Sequence, residues 1–163
     1  MSMINTPRLY LREMRDSDAP FIHKLYNQAD FIKYIGDKGI EDLDSAVDYI
    51  KTGPTQSYKE HGFGLLLVSL HDDTPIGVCG LLQREDLPFP DLGYAVDEQH
   101  YQKGFTKEAC AAVLAHYTQE PSVLAVTDPE NIASNNLLMS LGFVEYPGVY
   151  KGWGDSKVFR IDR

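Results

Sequence analysis

Residues 91–109, D-L-G-Y-A-V-D-E-Q-H-Y-Q-K-G-F-T-K-E-A, hold groups that could bind an anion. A short strand, Leu92 to Val96, feeds a polar link from Asp97 to Gln102, and Gly104 then launches a helix. The first N–H groups of a helix have no intrahelical acceptor, and the helix dipole puts partial positive charge there. Lys103 and Lys107 add full charges on either side. The chemistry suits a phosphate-bearing cofactor, although a glycine before a helix also serves as a plain turn. Further on, Asn131-Ile132-Ala133-Ser134 is good capping chemistry, with Asn131 as N-cap and Ser134 in the first turn.

The elements that must carry these residues read as one mixed α/β domain over residues 1–163. Residues 8–14 alternate as a strand, with Leu9 and Leu11 on one face and Arg8, Tyr10 and Arg12 on the other. A helix follows over 19–27, then a short apolar piece over 31–35. A second helix over 43–51 has Leu43, Val47 and Ile50 on its stripe and is stopped by Gly53-Pro54. Residues 62–70 and 75–83 form a β-hairpin, where Gly77 and Gly80 mark close packing or a bulge. The helix after Gly104 runs to about Tyr117, with Phe105, Ala109, Ala112, Val113 and His116 on its core-facing stripe. A strand over 122–127, a helix over 132–141 ended by Gly142, and strands over 143–150 and 157–161 complete the chain. The order β-α-α-β-β-β-α-β-α-β-β is not dinucleotide-fold alternation, and neither GxGxxG nor GxxxxGK[ST] occurs.

Composition sets outer bounds. Apolar residues make up 43% and charged ones 24% of the chain, as in ordinary globular proteins. The net charge of −9 disfavours non-specific nucleic-acid binding and suits a cationic partner. Acids at Glu41, Asp42, Asp44 and Asp48 read as a solvated face. Cys79 and Cys110 lack metal-ligand spacing and read as reduced, buried thiols. The N-terminus lacks a signal-peptide plan and no apolar run is long enough for a membrane span, so a cytoplasmic location is the default expectation.

Three segments, in order and in register with these elements, resemble the GNAT superfamily of acetyl-CoA-dependent N-acetyltransferases, and within it the RimJ/RimL-like branch of ribosomal-protein alanine acetyltransferases. Thr6-Pro7-Arg8-Leu9-Tyr10-Leu11-Arg12 is similar to that branch's opening T-x-R-L-x-L-R. Gly93-Tyr94, Lys103-Gly104-Phe105 and Glu108-Ala109 resemble its G-Y, G-K-G-Y and E-A core. Asn131-Ile132-Ala133-Ser134 and Leu141-Gly142-Phe143 are similar to its N-x-A-S and L-G-F.

The resemblance implies a twisted, mostly antiparallel sheet flanked by helices, whose fourth and fifth strands, here 92–96 and 122–127, splay apart around pantetheine. It implies acetyl-CoA as cosubstrate, with pyrophosphate on the loop Tyr101, Gln102, Lys103, Gly104, Phe105, Thr106, followed by Lys107. This loop departs from the general Q/R-x-x-G-x-G/A pattern: Tyr101 replaces Gln/Arg, and Thr106 replaces a small residue. The Thr106 hydroxyl could donate to a phosphate oxygen. A backbone N–H near Ala95 and Val96 would polarise the thioester carbonyl. Ser134 would assist the departing thiolate, and Asn131 would cap the helix and bond the pantetheine amides. Asp91 stands where many relatives carry a base carboxylate. Glu85, Asp86 or water are alternatives.

The acceptor would be a primary amine, either a protein N-terminus or a small molecule. A non-catalytic CoA-binding domain of the same fold is the alternative, and a cofactor-free interaction protein a third reading. Trp153, at a Gly-flanked turn, could line an acceptor pocket, make a homodimer contact or cap the sheet edge.

Overall fold

The computed structural model describes residues 3–147 and 156–163. The proposed turn around Trp153 and the end of the proposed strand over 143–150 lie outside the described residues. Among the described residues the chain runs β1 (Met3–Asn5), β2 (Leu9–Glu13), α1 (Ala19–Tyr26), α2 (Ala29–Tyr34), α3 (Leu43–Thr52), α4 (Pro54–His61), β3 (Leu65–Leu70) and β4 (Pro75–Leu82). It continues with β5 (Asp91–Val96), α5 (Phe105–His116), β6 (Ser122–Thr127), α6 (Ile132–Ser140), β7 (Val144–Glu145) and β8 (Lys157–Asp162). One eight-stranded sheet has the order β1-β2-β3-β4-β5-β6-β8-β7. Every neighbouring pair is antiparallel except β5 and β6.

The continuous apolar run of β3 has a simple cause: both faces of the sheet are covered. Leu66 and Val68 point to the face where Ala109, Cys110 and Val113 of α5 and Leu138 of α6 pack. Leu65 and Leu67 point to the other, against Ile22, Leu25, Phe31, Ala46 and Ile50 of α1, α2 and α3. Side chains that alternate between two buried faces must both be apolar. β2 keeps the expected alternation, with Leu9 and Leu11 fully buried. Its Arg12 makes a bidentate pair with Asp18, at 2.9 Å for each bond, which fixes the turn into α1.

Several expectations are corrected. Gly53-Pro54 does not simply stop a helix: Gly53 ends α3, and Pro54 takes the first position of a new one, α4. The piece 31–35 belongs to a helix, α2, and β1 adds an edge strand. Leu43 is half exposed, because Asp42 caps the Ser45 amide and starts α3 with Ala46 and Ile50 inward. His116 lies at the exposed end of α5, where Cys110 and Leu114 complete the buried stripe instead. Cys79 and Cys110 are buried as expected, with their sulfurs 3.8 Å apart between β4 and α5. Gly80 marks close packing, since a Cβ there would lie 2.1 Å from the Gly64 carbonyl oxygen.

The feature that makes the site is the partnership of β5 and β6. Their only register pair is Asp91 with Leu124, reinforced by the Leu124 N–H donating to the Pro90 carbonyl at 2.9 Å. Past that point each strand keeps its outer neighbour, β4 or β8, and the two separate. This is the splay between 92–96 and 122–127 that the resemblance implied. No helix among the described residues is long and apolar enough to cross a membrane.

Candidate active site

Two cavities open along the splay. The first, about 590 Å³, is lined by Gln102, Gly104, Phe105, Thr106 and Lys107 and by Asn131 and Ser134 across from them. The second, about 470 Å³, is walled by Tyr26, Phe31, Tyr34 and Tyr49, with Arg84 and Asp91 among its lining. Phe31, Tyr34, Tyr94, Ala95, Asn131 and Ser134 line both, so the cavities meet beside Tyr94 and Ser134.

The loop into α5 has the shape of an anion cradle. Gln102 and Gly104 both sit in the left-handed region, with φ of +61° and +78°. The first helical bond is from Glu108 N–H to the Gly104 carbonyl, at 3.1 Å. The amides of Phe105, Thr106 and Lys107 therefore precede any intrahelical acceptor and belong to the cavity end of the helix. Lys103 departs from expectation. It does not line the cavity, and its carbonyl accepts a 2.8 Å hydrogen bond from Arg8.

On β5, the Asp97 N–H donates to the Ile76 carbonyl of β4, at 2.7 Å. Alternation along the strand then commits the Ala95 N–H to the β4 ladder and turns those of Tyr94 and Val96 towards the splay. Of the pair Ala95 and Val96, Val96 therefore has the amide that can face a ligand carbonyl, while Ala95 contributes wall.

Ser134 is buried in the first turn of α6. Its N–H donates to the Asn131 side-chain oxygen at 3.3 Å, so Asn131 is the N-cap that the sequence suggested. Its Oγ accepts from the Thr127 hydroxyl at 2.9 Å and lies 2.6 Å from the Tyr94 hydroxyl. With Tyr94 also donating, the serine's own proton is left to point at the junction of the cavities. Burial pushes the Tyr94 phenol above its ordinary range, which keeps it a neutral donor.

Asp91 is 1% exposed, at the floor of the aromatic cavity. Burial pushes its carboxyl up to about 6, and the Arg84 guanidinium, 3.1 Å away, holds it from rising further. Glu85 and Asp86 are exposed and line neither cavity, so they are not brought to the site. No group of three or more His, Cys, Asp or Glu able to hold a metal occurs among the described residues.

Sequence reasoning missed Tyr94 and Thr127 as partners of Ser134, and Tyr26 and Tyr49, whose hydroxyls meet at 2.8 Å in the wall. A signal did exist for Tyr94. It is an aromatic with a hydroxyl on a strand already assigned to the cofactor, and a buried phenol needs a partner.

The acetyltransferase (GNAT) domain family matches residues 8–144, which span both halves of the splay. The chain belongs to the GNAT acetyltransferase family. It is an acetyltransferase, and acetyl-CoA is its donor. An N-acetyltransferase of Bacillus subtilis (strain 168), YoaA, is 26% identical over 147 residues, covering 86% of this chain and 82% of that one. Among solved structures, an acetyltransferase from Agrobacterium tumefaciens str. C58 superposes with a TM-score of 0.85 at 23% identity, over 100% of this chain and 95% of its own. The ribosomal L7/L12 α-N-protein acetyltransferase RimL, in complex with coenzyme A, gives 0.84 at 17% identity, over 99% and 98%. These structural likenesses establish the GNAT fold.

Proposed function

We propose that this GNAT enzyme moves the acetyl group of acetyl-CoA to a primary amine by direct attack in a ternary complex. The observation that carries the proposal is the meeting of the two cavities at Tyr94 and Ser134, beside the unpaired edge of β5. The loop cavity takes the cofactor: its helix-start amides hold the pyrophosphate, and pantetheine lies between β5 and β6 with Asn131 alongside. The Val96 N–H polarises the thioester carbonyl, and Ser134 donates to the sulfur as it leaves. The aromatic cavity takes the amine. Tyrosine and phenylalanine walls suit a group that enters as a cation, and the net charge of −9 favours its approach.

Asp91 is proposed as the general base. It is on the same side of β5 as Ala95, four residues away along the strand, or about 13 Å. It therefore takes the amine's proton through water in the cavity. The acceptor classes remain those of the sequence reading, a protein N-terminus or a small amine. RimL, with the same fold, is named for the first. Free-thiol release from acetyl-CoA, measured with a panel of N-terminal peptides and small primary amines, tests the proposal. Release should require the amine. Equal release with and without every amine would overturn it.

The raised pKa of Asp91 gives a pH signature whose sign is fixed. Below about 6 the carboxyl is protonated and cannot accept a proton; above it the base is competent. Activity should therefore fall as pH drops through about 6. A separate limb, from the α-amine acceptor itself, belongs at about 7.7–8.0. In Asp91→Asn the lower limb should vanish and the upper persist, read from kcat/KM against pH. A lower limb retained in that variant would remove Asp91 from the mechanism.

A further inference from the structure

Arg8 and Glu108 stand 100 residues apart in sequence, yet they form one clamp against the cofactor loop. Glu108 Oε1 accepts from Arg8 Nε at 2.7 Å. Glu108 Oε2 accepts from the Arg8 N–H at 3.0 Å and from the Thr6 hydroxyl at 2.5 Å. Burial opposes charge on Glu108, but these donors still hold its carboxyl below the ordinary range. The guanidinium is therefore fixed from behind. Its front reaches both sides of Gly104: Nη1 donates to the Lys103 carbonyl at 2.8 Å, and its plane lies over the Phe105 ring, 4.5 Å from the centroid.

The consequence follows from peptide geometry. In a trans peptide the C=O and the next N–H point in opposite directions. Drawing the Lys103 carbonyl to Arg8 turns the Gly104 N–H away from Arg8, to the side where Gly104 lines the cofactor cavity. The loop needs such an anchor, because Gln102 holds a left-handed φ of +61° with no glycine to relieve it. Conformations of that kind persist only where surrounding contacts over-determine them.

We infer that Arg8 is a positioning residue for the cofactor: clamped by Glu108, it sets the Lys103–Gly104 peptide and so aims the loop amides at the pyrophosphate. Thr6 and Arg8, from the start of the chain, and Glu108, 100 residues after Arg8, thereby act as one device. The inference rests on the assignment of this loop to pyrophosphate.

The test compares two donors with the same thioester. Acetyl-CoA carries the pyrophosphate and S-acetylpantetheine does not. With Arg8→Gln, the KM for acetyl-CoA should rise about tenfold, the scale of one charge-assisted hydrogen bond, while kcat holds. The kcat/KM for S-acetylpantetheine should not change. The Arg8 side chain is 46% exposed, so the variant is expected to fold, and its thermal midpoint checks this. Equal losses with both donors, or no loss with either, would overturn the inference. Gly104→Val, run in parallel, separates the two levels. If that variant also keeps its acetyl-CoA KM, the loop assignment itself fails. If it loses acetyl-CoA while Arg8→Gln matches the parent protein, only the role of Arg8 fails.

Discussion

Gly104→Val should abolish acetyl-CoA binding at concentrations that saturate the parent protein. Gly104 holds a φ of +78°, which a β-branched residue adopts only under strain. Its added Cβ would lie 3.3 Å from Arg8 Nη2, tighter than ordinary van der Waals contact, and valine carries two further methyls beyond that Cβ. The variant must either abandon the left-handed turn or displace Arg8. Both outcomes turn the amides of Phe105, Thr106 and Lys107 away from a common target. A penalty of about 3 kcal/mol corresponds to roughly a hundredfold loss of affinity. Calorimetric titration with acetyl-CoA measures it directly. Unchanged affinity in a folded variant would remove the pyrophosphate from this loop.

Ser134→Ala should act on the other half of the reaction. The serine side chain lines both cavities where they meet, and the role proposed for it is at the thioester rather than at the phosphates. Affinity for acetyl-CoA should therefore stay within about threefold, while kcat falls by about a hundredfold, the scale of one lost proton donor. The substitution also leaves the Tyr94 and Thr127 hydroxyls without the oxygen they share. Unsatisfied buried hydroxyls cost about 1–3 kcal/mol, so a lower thermal midpoint should accompany the loss of turnover. Equal activity at saturating acetyl-CoA would exclude Ser134 from the mechanism.

The fold was legible where local chemistry and the core agreed. The alternation of Leu9 and Leu11, the capping pattern at Asn131 and the glycine before α5 all behaved as their residue types require. Legibility failed where one residue type serves two ends of an element. Gly53-Pro54 reads as a stop, but proline at a first helical position is also a start, and α4 begins there. It failed again where a stripe outlasts the surface it packs on, as at His116 on the last turn of α5. The splay of β5 from β6 has no local signal at all. Both strands are ordinary apolar runs, and only the family resemblance suggested that they part.

The candidate site divides in the same way. The loop could be singled out because a glycine before a helix start is recorded in sequence spacing, and so is the place of Ser134 in a first helical turn. The role proposed for Ser134, in contrast, came from the family resemblance. The contacts Tyr94–Ser134, Arg84–Asp91 and Arg8–Glu108 could not be read. Each is a tertiary meeting of polar groups, and nothing in the local pattern of either partner announces the other. Asp91 shows the difference most clearly. Its place at the head of β5 was evident from the sequence, but the burial that lifts its carboxyl to about 6 comes from the closure of the sheet around it.

The most direct test of the central claim is the initial rate of thiol release, measured over a grid of acetyl-CoA and primary-amine concentrations. On the mechanism proposed above, the two cavities that meet at Tyr94 and Ser134 would let donor and acceptor bind together, with the acetyl group passing directly between them. Reciprocal plots should give intersecting lines, with no acetylated protein detected by intact mass when acetyl-CoA is supplied alone. Parallel lines, together with a covalent acetyl group on the protein, would contradict direct transfer at this junction.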